Sequence, residues 1–250
     1  MKTKVDIKKY DVRRAIINLC IASVLSALGI LIMVIGGFCM RYPIASWLVL
    51  EPSDTVVLVT YVLCGWPYAI ICAILKAVID ILAFGLTGPF GIGQITAVIT
   101  SFIYIGTLSI CKLVFKKLNK SIVQRIASYA IIILAVSVIM TILNYIFITP
   151  TYLSWKFDTC FNPIYTGTIE NPMLPYKGSL FVVCFLLYFP FNLIKGLIVC
   201  ALFEILYITI IPYFKKLFET LTTRSNVVVT IEEENKGSNE SNDKKEDLNQ

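Results

Sequence analysis

The chain has 250 residues, 57% of them hydrophobic and only 15% charged, with a formal net charge of +6 and a mean hydropathy of +0.79. Soluble domains carry roughly a quarter charged residues, whereas here Ala15–Phe38, Thr55–Leu75, Ile81–Cys111 and Ile126–Trp155 contain none. A membrane span takes about 20 apolar residues, at about 1.5 Å of rise each across about 30 Å of hydrocarbon, so a water-soluble fold is excluded and an all-α, polytopic bundle in the cell membrane is expected.

A basic segment, residues 1–14 with Lys2, Lys4, Lys8, Lys9, Arg13 and Arg14, precedes the first span at 15–38. That apolar run exceeds the roughly 7–15 residues of a signal-peptide core and no A-x-A site follows it, so it is expected to stay as a helix. The connection "CMRYPIASWLVLEPSD" (Cys39–Asp54) is partly apolar and carries Trp47, Glu51 and Asp54. A short span at 54–64 ends at "CGWP", and Pro67 suits the first turn of the third span, 67–86. The glycine-rich "GLTGPFGIG" (Gly85–Gly93) turns the chain into a fourth span, 89–117. "CKLVFKKLNKSIVQR" (Cys111–Arg125) is basic, the fifth span covers 122–149, and the sixth covers 182–214. Between the last two, residues 151–180 are rich in Pro, Tyr, Asn and Gly and longer than a connection requires, as lids often are. From Thr222 the chain is charged and lacks aromatic residues, so the tail (218–250, beyond a membrane domain at 15–217) is expected to be disordered.

Lys and Arg concentrate in the N-terminal segment, in 111–125 and after the last span (Lys215, Lys216, Arg224), while the other connections hold Arg41, Lys156 and Lys177. Short basic loops stay on the cytoplasmic side, which predicts six spans with both termini inside. The positive charge is thus topological, and the expected surrounding is the lipid bilayer, with no nucleic-acid partner.

Several chemistries drop out. The sequence has no histidine, no C-x-x-C among its eight cysteines and no G-x-x-x-x-G-K-[ST] phosphate loop. A metal site, a bound cofactor and an enzymatic role are therefore not expected, nor is a disulfide between Cys39 and Cys160.

What remains is a set of polar residues at membrane depth: Lys76, Asp80, Gln94, Asn144, Asn192, Lys195 and Glu204. Lys76 and Asp80 are four apart and would neutralise each other on one helix face; Glu204 would approach the cytoplasmic interface. Lys195, within "YFPFNLIKGLIV" (Tyr188–Val199), is harder to place. A lysine at a helix centre costs about 2.5–3.5 kcal/mol on insertion scales and so faces protein or a watery cavity. Asn192 lies one turn away on the same face, and Pro190 frees the carbonyl of Leu186. Asn144 sits toward the outer end of the preceding span, within reach of Asn192. Two amides and an ammonium beside Tyr145, Phe147, Tyr188, Phe189 and Phe191 suit a flat heterocycle with a polar rim.

"PFNLIKGLIV" (Pro190–Val199), "ILNYIFITPTY" (Ile142–Tyr152) and "LVLEPSDTVVLV" (Leu48–Val59) resemble the riboflavin-binding S components (RibU) of energy-coupling factor (ECF) vitamin importers, in the same order over about residues 12–215. The resemblance implies six helices binding riboflavin near the outer face, under the loop between the first two. It also implies ligand bonds from Asn144, Asn192 and Lys195, and with them Trp47, Leu50 and Gln94 make up the expected binding set. A separate transmembrane T subunit and two ABC ATPases would power uptake. Small residues four apart on the first helix would meet the T subunit, here Ala22 with Ser26 and Ser23 with Ala27. The covering loop departs from the family pattern at Val49 and at "EPSD" (Glu51–Asp54), which leaves flavin mononucleotide, roseoflavin or another vitamin open as the ligand. A structural or assembly protein without a small-molecule ligand is the alternative of a different class.

Overall fold

A computed structural model describes residues 4–114, 122–157, 168–169 and 178–246. Helix α1 (Lys4–Cys39) leads into a hairpin of β1 (Arg41–Tyr42) and β2 (Ala45–Val49), followed by α2 (Asp54–Cys64), α3 (Trp66–Phe84), a 3-10 turn (Pro89–Gly91) and α4 (Ile92–Val114). Then come α5 (Ile122–Leu143), a π-helical turn (Asn144–Ile148), α6 (Thr149–Phe157), the paired strands β3 (Thr168–Ile169) and β4 (Gly178–Ser179), and α7 (Leu180–Glu246).

Among the described residues, five helical stretches are long and apolar enough to cross a membrane: Ala15–Gly36, Trp66–Phe84, Pro89–Val114, Ile122–Trp155 and Leu180–Phe214. They match the expected spans closely. Helix α2, with 11 residues, extends only about 16 Å. It is nonetheless the most enclosed element: Val56, Val57, Leu58 and Val59 are all buried, so it lies inside the bundle. Alternation of direction puts the β1–β2 hairpin, the Gly85–Gly91 turn and α6 at one end, the hairpin end, and the basic segments at the other.

The core follows from which faces are apolar on all sides. Leu25 of α1, Val56 and Val59 of α2, Tyr104 and Leu108 of α4, Ile132 and Val136 of α5, and Val199 and Phe203 of α7 form one cluster through the middle. A second cluster at the hairpin end joins Tyr42 and Ala45 to Leu153, Leu180, Leu187 and Phe191. Tyr42 meets Phe191 edge-on with ring centres 5.4 Å apart, which pins the hairpin over α7. Where α1 and α2 run closest, a Cβ on Gly29 would sit 3.5 Å from Val56 Cβ.

Two local devices shape the hairpin end. Pro150 has no N–H for the carbonyl four residues back, and just before it the ladder widens: the Thr149 N–H donates to the Asn144 carbonyl, five residues away. Such π turns recur at functional sites. The Gly85–Gly93 connection is held in place by Gln94, and Gly91 sits at φ 71 with Leu86 Cδ2 only 2.9 Å from where a Cβ would be.

Some expectations are corrected. The connection 151–180 does not start as a loop; α5 continues through the π turn into α6, so the helix runs past Pro150, whose missing donor falls where the π turn has widened the ladder. Tyr165, Tyr176 and Cys160 lie outside the described residues. The backbone of α7 continues through Pro190 and Pro212 to Glu246, where a disordered tail was expected. Helical hydrogen bonds are local and need no tertiary partner. Small residues on α1 divide as well. Ala22 and Ser26 are buried, with Ser26 Oγ donating to the Ala22 carbonyl at 2.7 Å, so this pair packs within the bundle. Ser23 and Ala27 are exposed.

Candidate binding site

Four charged side chains converge beneath the hairpin. Asp54, in the first turn of α2 where the helix dipole favours an anion, is 1% exposed. Its Oδ1 accepts from Lys76 Nζ of α3 at 2.9 Å and from Ser101 Oγ of α4 at 2.6 Å. Its Oδ2 faces Lys195 Nζ of α7 at 3.1 Å. That last contact is a charge pair outside hydrogen-bond geometry, since Oδ2 accepts no directed bond. Lys76, also 1% exposed, further donates to Ser53 Oγ at 2.8 Å and pairs with Glu51 Oε1 at 3.3 Å. Ser53 Oγ donates to Glu51 Oε1 at 2.5 Å, which closes a ring of contacts through the "EPSD" segment. Four helices and the loop behind the hairpin are thus tied to one carboxylate.

Burying an ion costs several kcal/mol unless it is paired, and here two carboxylates meet two ammonium groups. Burial pushes the Glu51 carboxyl up, but the charges of Lys76 and Lys195 outweigh it and hold the group below the ordinary carboxylate range.

The two lysines differ. Lys76 is enclosed and has three oxygen partners. The Lys195 side chain is 12% exposed and, among the described residues, has the single close contact to Asp54. Asn192, one turn before it, is buried and donates from Nδ2 to the Tyr188 carbonyl at 2.8 Å. Asn144, also buried, donates in the same way to the Met140 carbonyl at 2.8 Å. Each amide therefore folds back on its own helix, and neither bonds the other among the described residues. Thr149 Oγ1 donates to Tyr188 Oη at 3.1 Å, tying α6 to α7 beside them.

Other expected residues fall elsewhere. Leu50 packs against the hairpin-end cluster, and its N–H donates to the Met40 carbonyl at 2.7 Å. Trp47 stands on β2, with its side chain outside the described residues. Gln94 is a turn-holding residue rather than a free ligand group: its Nε2 reaches Asp80 Oδ2 at 2.8 Å, Thr87 Oγ1 at 2.9 Å and the Gly85 carbonyl at 3.1 Å, and its Oε1 accepts from Thr87 N at 3.0 Å. This also corrects the Lys76–Asp80 pairing. Asp80 binds Gln94, while Lys76 turns to Asp54 and Glu51, because two carboxylates compensate it better than one partner on its own helix. At the basic end, Glu204 accepts from Tyr129 Oη at 2.5 Å and pairs with Arg125 Nη2 at 3.0 Å.

The centre of the cluster, Asp54, escaped the sequence reading as a site residue. Its partners are 22, 47 and 141 residues away along the chain. The signal that was present is an acid at the first turn of a span that is otherwise apolar.

These elements define a multi-pass helical membrane protein with a charge-neutral polar cluster buried beneath a hairpin at one end. Residues 18–207 match the family model described as the substrate-specific component of the ECF transporter, and the chain belongs to that family. It is a transporter component and not an enzyme. The chain is 24% identical over 201 residues to the riboflavin transporter FmnP of Bacillus subtilis (strain 168), covering 80% of this chain and 94% of that protein. It also superposes on a solved S component of a bacterial ECF transporter with a TM-score of 0.54 and 20% identity, over 82% of this chain and 96% of the other, which shows a shared fold.

Proposed function

We propose that this S component binds riboflavin at the hairpin end, taken as the outer face, and hands it to a separate energising module for uptake. The observation that carries the reading is the α7 face bearing the buried Asn192 together with Lys195, the latter paired with Asp54 beneath the hairpin. A lysine held by one off-axis charge contact keeps N–H groups to offer a ligand, and the amide oxygens add acceptors. Tyr145, Tyr188 and Phe191 supply aromatic surface around it, as a flat ring system requires. The likeness to a riboflavin transporter supports the choice of ligand.

In this reading a T subunit and two ABC ATPases supply the power, since the chain has no phosphate-binding loop of its own. The outward stripe of Ser23 and Ala27 on α1 is the surface offered to the T subunit, because small residues let helices approach closely. Both termini would lie in the cytoplasm.

Titrating purified protein in mild detergent with riboflavin, and following the quenching of flavin fluorescence, tests the reading. Saturable quenching at a one-to-one ratio is expected. Absence of quenching at micromolar protein and ligand would overturn it.

A further inference from the structure

We infer that Asp54 is a specificity-determining residue: by neutralising Lys195 it makes the site accept an uncharged flavin and reject its phosphorylated form. The inference rests on the flavin site proposed above, but concerns a residue that need not touch the ligand.

The argument is a charge count. A basic group that recognises a phosphate must carry surplus positive charge, because an anion brought out of water needs a counter-charge. Lys195 has no such surplus. Asp54 Oδ2 stands 3.1 Å from its ammonium group, and the second lysine, Lys76, is already taken by Asp54, Glu51 and Ser53. The nearest further charge along α3, one turn beyond Lys76, is another carboxylate, Asp80, bonded to Gln94. The cluster is therefore neutral or slightly negative as a whole. It still offers the N–H groups of Lys195 to carbonyl and hydroxyl oxygens of a neutral ligand, since the Asp54 contact is off hydrogen-bond geometry and leaves those donors undirected. Lys76 and Ser101 both approach Oδ1, which leaves Oδ2 to face Lys195. The second oxygen, turned to Lys195 of α7, is what sets the charge of the ligand-facing lysine and makes the arrangement selective.

The test compares dissociation constants for riboflavin and flavin mononucleotide, by fluorescence quenching in detergent at neutral pH. The unsubstituted protein should bind riboflavin at least about tenfold tighter than the mononucleotide. Asp54→Asn leaves one positive charge in excess, and a unit charge at several ångströms in a partly buried site is worth roughly tenfold or more in binding an anion. The ratio should therefore move toward the mononucleotide by about that factor. Asp54→Asn with Lys76→Met restores neutrality while keeping Lys195, and should return the ratio to its starting value. Glu51→Gln, in the loop and with its side chain 18% exposed, should shift the ratio in the same direction by less, and it carries the test if Asp54→Asn does not fold. A merely structural Asp54 would lower both affinities together and leave the ratio unmoved in every variant, and that result would overturn the inference while the flavin site stands. An unsubstituted protein that binds neither flavin would remove the flavin site itself.

Discussion

Replacing Lys195 with Met, beside the same change at Lys76, separates a ligand-binding lysine from a structural one. Lys76→Met leaves buried Asp54 and part-buried Glu51 with Lys195 as the one remaining ammonium, and the 2.8, 2.9 and 3.3 Å contacts gone. Breaking a buried pair by removing one partner costs about 3–5 kcal/mol. Lys195→Met keeps the side-chain length but removes only an off-axis contact at 3.1 Å, and Asp54 retains Lys76 and Ser101. Its cost to the fold should be clearly smaller, about 1–2 kcal/mol, partly offset because an expensive intramembrane charge has gone. In ligand binding the order reverses. Losing a charge-assisted hydrogen bond to the flavin costs about 1.5–3 kcal/mol, or roughly ten- to a hundredfold in affinity, while Lys76→Met protein that folds should bind within a few-fold. Thermal unfolding without ligand and riboflavin titration, both in the same detergent, give the two quantities. Stable Lys195→Met protein with unchanged affinity would refute the reasoning, as would a Lys195→Met that destabilises as much as Lys76→Met.

Replacing Ser23 or Ala27 with Trp should preserve flavin binding by isolated protein and abolish uptake in cells, because bulk on the exposed α1 stripe blocks a partner helix; normal uptake by both variants would remove that face from the coupling surface. Deleting residues 225–250 should leave riboflavin affinity within about threefold, a difference under 1 kcal/mol, and a tenfold loss on titration would show the tail contributes. Tyr42→Ala removes the edge-on contact to Phe191 that seats the hairpin and should speed flavin release more than it slows entry, read by stopped-flow quenching. Glu51 has a folded-state pKa below the ordinary value of 4.5, so its contribution is fully present above that value and fades as pH falls through the lower one. The release rate should therefore be flat from neutral pH to about 5 and rise only under more acidic conditions, and a rise already near pH 6 would point to another group.

Composition alone determined the bundle, because an apolar run of membrane length has few alternatives to a helix: every backbone polar group must be satisfied within the segment. The spans beginning near Ala15, Asp54, Pro67, Pro89 and Ile122 could be read directly, as could the turn at Gly85–Gly93, whose glycines take positive φ at 85, 88 and 91. The buried polar face of Asn192 and Lys195 was legible too, since i,i+3 spacing fixes a shared face on any helix. Tertiary structure decided what those residues meet. The i,i+4 rule paired Lys76 with Asp80, yet Lys76 faces the bundle interior, where Asp54 and Glu51 lie, and Asp80 turns to Gln94. The same limit applies to α1, where four-residue spacing marks two small-residue pairs equally and only packing shows that Ala22 and Ser26 face inward. Local spacing fixes which side chains share a face; which neighbour that face meets depends on contacts between distant segments, and Asp54 reaches Lys195 across 141 residues only when the bundle has closed.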